Sequence, residues 1–121
     1  MMRPAPGSGI AAFGALSCAA AVALAAYASH GAEPAQASRF GLAAAFAFGH
    51  GLALVAMASR RTALASLVRV LIVLGVAGFS GGLCVAAWRG GSAPTAPIGG
   101  SLLILAWVLA AVDLWRRGER R

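Results

Sequence analysis

Four apolar runs decide most of what this chain can become. They lie near residues 9–29, 40–58, 67–88 and 97–115. Each holds about 20 residues, the length of α-helix that crosses ~30 Å of hydrocarbon. Lipid offers the backbone no hydrogen-bond partners, so a spanning segment must satisfy its own peptide groups, as a helix does. A closed barrel would need strands of alternating apolar and polar residues, and the runs do not alternate. The expected fold is an all-α membrane protein, with four transmembrane helices in an antiparallel bundle. One domain would take up all 121 residues. Composition agrees: 60% of residues are hydrophobic and 11% charged, where a soluble domain carries about 25% charged residues.

The first run has a competing reading. Arg3, then an apolar stretch, then Ala26-Tyr27-Ala28 resembles a signal peptide with its cleavage site. A signal core is usually 7–15 residues long, and this run exceeds that, so a retained helix is expected.

The net charge of +7 comes from ten arginines and no lysine. The arginines sit at the ends of the runs. Arg3, Arg60, Arg61, Arg69, Arg116, Arg117, Arg120 and Arg121 fall on one face of a four-helix arrangement, and Arg39 and Arg89 on the other. The positive-inside rule then places both termini in the cytoplasm. Charge laid out this way marks topology, not a nucleic-acid partner. The tail WRRGERR is first a topology anchor and second a contact for anionic lipid.

Local signals place the helix ends. His30-Gly31 should close the first helix. Glu33-Pro34 looks like a new start, with residues 34–39 as an interfacial turn, and Pro97 opens the fourth helix. Tyr27, Phe40 and Trp88 near one boundary and Trp115 near the other fit an aromatic belt. FGALSCAA (13–20) and FSGGLCVA (79–86) echo each other, and in a chain this rich in Ala and Gly chance accounts for it.

Small residues crowd the first and third helices. Gly78 and Gly82 make a GxxxG pair with Gly75 beside them, and Gly14 and Cys18 a looser one. Between membrane helices, close backbone approach replaces the hydrophobic drive. A single four-helix chain must pack itself first, so packing within the chain is expected ahead of a dimer face.

His50 is the best functional handle. It lies about ten residues from the nearer boundary, ~15 Å deep. Ionisable groups at such depth are rare, face the bundle and are candidate functional sites. Ser80, Trp107 and Ser17 come to similar depth, so a hydroxyl and an indole N–H can serve the two ring nitrogens. The leading reading is a structural hydrogen-bond node, ahead of a proton or ligand site. His30 sits roughly 15 Å away along the helix axis, too far to share a metal with His50. No further Cys, Asp or Glu cluster completes a zinc site. Neither a metal nor a cofactor is expected. Cys18 and Cys84 fall at different depths and are read as packing residues rather than a disulfide. Asp113 is expected to pair with Arg116 or Arg117 one turn on. No nucleophile–base pair, HExxH or phosphate loop is present, so no enzyme is expected.

FGALSCAAAVALAAYASHG, the FxxxHGLAL part of the second helix, GFSGGL, and APIGG followed by Trp107 run in order over nearly the whole chain. Together they resemble the YgdD-like family of small four-helix membrane proteins (domain of unknown function 423), to which transmembrane protein 256 is also similar. His30-Gly31, His50, Phe79-Ser80-Gly81 and Pro97-Ile98-Gly99-Gly100 match the family's elements. Ala47, Gly49, Gly82 and Cys84 depart from it, removing polar partners around His50. The resemblance implies a multi-pass protein of a bacterial inner membrane and implies no reaction. It groups His30, Gly31, Pro97, Gly99 and Gly100 as an outer-side motif. Two functions follow as expectations. The first is a non-enzymatic packing or interaction protein of the cell envelope, in contact with the lipid bilayer and with a second copy or another membrane protein. The second is a small transporter or ion-handling protein with His50 as its protonatable centre.

Overall fold

The structure, a computed structural model, describes residues 2–121. It is all-helical: α1 (Ser8–His30), α2 (Pro34–Met57), α3 (Ala63–Arg89) and α4 (Thr95–Glu119). All four are long and apolar enough to cross a membrane. Each begins ahead of its apolar run, because hydropathy marks what lipid solvates and not where backbone hydrogen bonding starts. Two starts differ from expectation, those of α3 and α4, while α2 starts at Pro34 as the Glu33-Pro34 signal predicts. Residues 34–39 are the first turns of α2, with Pro34 at its first position. α3 begins at Ala63, four residues ahead of its apolar run, because Thr62 caps it: its hydroxyl accepts the Ala65 N–H at 3.0 Å. α4 begins at Thr95. Pro97 lies inside the first turn, where its missing N–H leaves no helix bond unmade.

The ends are equally local. Gly31 and Ala32 both donate to the Tyr27 carbonyl at 2.8 Å, and a side chain at Gly31 would stand 2.9 Å from the Tyr27 ring. α3 closes on Gly90 and Gly91, with φ of 79° and 86°. Glycine adopts that left-handed region without strain.

Close backbone approach links α1 to α2, α2 to α3 and α3 to α4. Two of these contacts run through glycine. A Cβ on Gly14 would sit 2.5 Å from the Gly51 carbonyl oxygen, and one on Gly51 would sit 2.7 Å from that of Gly14. A Cβ on Gly99 would collide with the Phe79 nitrogen and approach the Gly75 oxygen to 2.6 Å. Gly75 and Gly78 face Leu103 and Gly99 of α4, and Gly82 faces Thr95. The GxxxG pair thus packs within the chain.

A core of Ala53, Leu54, Val68, Ile72, Ala106 and Ala110 joins α2, α3 and α4 toward the end holding both termini. Ala28, Phe40 and Ala87 form a smaller cluster at the opposite end. There Phe40 packs edge-on against both Tyr27 and Trp88, at centroid distances of 5.4 and 6.5 Å. The outside is apolar: Leu16, Val22, Leu74, Ile104, Trp88 and Trp115 are all exposed. Water would penalise such a surface and lipid solvates it. The chain is a multi-pass membrane protein.

Candidate functional site: the His50 node and the Asp113 clasp

Helical spacing on α2 sets the His50 environment. Phe46 lies one turn before it, and its carbonyl oxygen is 2.7 Å from His50 Nδ1. A carbonyl can only accept, so Nδ1 carries the proton. The other nitrogen, Nε2, receives the indole N–H of Trp107 from α4 at 3.0 Å. One neutral tautomer therefore fills both hydrogen bonds. The ring is buried and stacks near Phe46, centroids 5.7 Å apart at 21°. Phe46 in turn meets Phe79 of α3 at 4.2 Å. His50 thereby ties α2 to α4, and its neighbour Phe46 ties α2 to α3. Trp107 itself is 48% exposed.

The other polar residues expected near His50 are spent elsewhere. Ser80 Oγ donates to the Ala43 carbonyl at 2.8 Å, so it joins α3 to α2 without touching the imidazole. Ser17 donates to Ala47 O at 3.1 Å and Cys18 to Phe48 O at 3.4 Å, joining α1 to α2. The physical reason is common to all three. A hydroxyl or thiol between close-packed helices finds a neighbour's carbonyl, which has a free lone pair, before it finds a distant ring. Both cysteines are free thiols. His30 is exposed, Pro97 is exposed, and Gly99 and Gly100 sit at the α3–α4 crossing. The outer-side motif is thus made of helix-end and packing positions, and it does not converge on His50.

Asp113 corrects the local pairing expected for it. It is buried, and it binds Arg60 and Thr62 from the loop between α2 and α3, not Arg116 or Arg117. Arg60 Nε donates to Oδ2 at 2.9 Å, a second guanidinium nitrogen of Arg60 contacts the same oxygen, and Thr62 Oγ1 donates to Oδ1 at 2.7 Å. The carboxylate lies on the inward face of α4, while Arg116 and Arg117 are exposed. Arg69, expected only as a topology charge, donates to the carbonyls of Met57 and Arg60 at 2.8 and 3.0 Å. These contacts form a clasp that fixes the 58–62 loop against α3 and α4. The sequence did carry a signal for Arg69. It falls inside the third apolar run, and an arginine there needs a partner.

Among the described residues no cluster of three or more His, Cys, Asp and Glu is placed to hold a metal, and no buried side-chain polar atom lacks a partner. A family model for proteins of unknown function (DUF423) matches residues 24–100. The chain belongs to the DUF423 family. The matched span contains His30, His50, Ser80 and Gly99 but stops short of Trp107 and Asp113. No curated protein and no solved structure matches the chain.

Proposed function

We propose that this member of the DUF423 family is a non-enzymatic packing and interaction protein of a bacterial inner membrane, with both termini in the cytoplasm. The supporting observation is the complete hydrogen bonding of His50. Phe46 O takes the Nδ1 proton and Trp107 supplies one to Nε2. A proton-handling histidine needs a nitrogen open to water or to a second titratable group, and both of these nitrogens are occupied. The orientation rests on eight of ten arginines lying at the end that holds both termini. The outward face of α1 is the surface for a second copy or another membrane protein. Its buried positions are Gly14, Ala21 and Ala28, one narrow stripe, which leaves Leu16 and Val22 outward.

Reconstitution tests the reading against transport. Proteoliposomes loaded with a pH-sensitive dye should show the same proton permeability with the wild type as with His50→Gln. A flux present in the wild type and lost in the variant would establish the transporter reading instead. Photo-crosslinkers at Leu16 and Val22 in native membranes should yield defined adducts. Exclusive labelling of lipid would remove the interaction role.

A further inference from the structure

At the end that carries both termini, a cleft of about 750 Å³ opens between the 59–62 loop and the last turns of α4. Six arginines line it: Arg60 and Arg61 from the loop, and Arg116, Arg117, Arg120 and Arg121 from α4 and the residues after it. The one acidic side chain in its lining, Asp113, is already bound to Arg60 and Thr62. Glu119, the other acid of this region, accepts from Trp115 Nε1 at 3.1 Å. The Arg60–Asp113 pair is the one ion pair among the described residues. Arg61, Arg116, Arg117, Arg120 and Arg121 therefore share a cleft in which none of them forms an ion pair.

Topology alone asks only that arginines lie on one side of the membrane. It does not ask that two segments some 50 residues apart in sequence converge on one concavity. The clasp at Asp113 holds them there. Guanidinium groups match phosphate oxygens in bidentate geometry. Beside the cleft, Leu114 and Trp115 are exposed, so the cationic wall continues into the lipid-facing surface. A molecule filling both would carry phosphate at one end and hydrocarbon at the other. We propose that the cleft binds the headgroup of an anionic phospholipid, and that it prefers a lipid with two phosphates to one with a single phosphate. Five guanidiniums outside the one ion pair exceed what a single phosphodiester offsets, and a bis-phosphate headgroup uses more of them.

Native mass spectrometry of the full-length protein tests this. The probes are cardiolipin, phosphatidylglycerol and phosphatidylcholine at matched lipid phosphate, with inorganic pyrophosphate as the soluble competitor. Cardiolipin should bind at least tenfold more tightly than phosphatidylglycerol. R116Q/R117Q/R120Q should weaken it on the order of a hundredfold, whereas R3Q/R39Q/R89Q, with the same loss of charge outside the cleft, should change it less than threefold. R61Q/R121Q should lower binding by a smaller factor and serves if the triple variant misfolds. Equal losses in the two triple variants, or equal binding of the two anionic lipids, would overturn the site. Displacement of cardiolipin by equimolar pyrophosphate would overturn the lipid assignment and point to a soluble phosphate compound.

Discussion

A carbonyl oxygen on one side of His50 and an indole N–H on the other leave the ring one neutral tautomer that satisfies both. A proton added at Nε2 would set donor against donor at Trp107. The link is testable energetically. Trp107→Phe keeps most of the ring and removes the donor. In a double-mutant cycle with His50→Phe, the coupling between the two sites should be about 0.5–1.5 kcal/mol, the range seen for hydrogen bonds between membrane helices. Unfolding in mixed micelles gives that number, and a coupling near zero would contradict the link. His50 and Trp107 were legible as a pair because helical rise sets depth, and depth set the choice of partners. The engagement of Ser80 with Ala43 O was not legible. Depth counting says which residues share a level of the membrane, but not which face of a helix each takes.

Helices here meet where glycine lets two backbones touch, and this gives predictions with internal controls. Gly99→Ala should destabilise by about 1–3 kcal/mol, since its Cβ collides with the backbone of α3. Gly81→Ala meets nothing within 4 Å, so it should be neutral or stabilise by up to about 1 kcal/mol through helix propensity. Thermal melts of the two variants side by side check the contrast, and equal effects would contradict it. Four spans of about 20 residues were readable because the bilayer fixes the length and lipid forbids open backbone. Pro34 marked the start of α2, but the starts of α3 and α4 were not readable, since Ala63 and Thr95 lie ahead of the apolar runs where hydropathy gives no signal. The glycine stripes predicted close packing, and only the three-dimensional arrangement showed that Gly75, Gly78 and Gly82 face α4.

Across the whole molecule, the clasp of Arg60, Thr62 and Asp113 joins the α2–α3 loop to the end of α4. Breaking one side of a buried ion pair leaves an uncompensated charge and typically costs about 3–5 kcal/mol. Asp113→Ala should therefore lower stability by that order. Arg60→Met/Asp113→Leu removes both charges and should recover most of the loss, as a denaturant titration of both variants would show. A double variant as unstable as the single one would mean that the clasp acts through more than charge. The local sequence around Asp113 pointed to Arg116 and Arg117, because helical spacing makes them its neighbours in sequence. The loop arginine wins because it reaches the inward face on which the carboxylate lies. Net charge and its asymmetry were plain from the sequence, whereas the convergence of arginines on one cleft required the fold.

The claim that His50 is a structural node meets its most direct test in nitrogen NMR of ring-labelled histidine, with the full chain in lipid nanodiscs at neutral pH. The predicted spectrum for His50 has Nδ1 protonated and Nε2 bare, with a coupling across the bond from the Trp107 indole that vanishes in Trp107→Phe. A ring protonated on Nε2 or on both nitrogens would contradict the account. It would also return His50 to the proton-handling role that its neighbours now deny it.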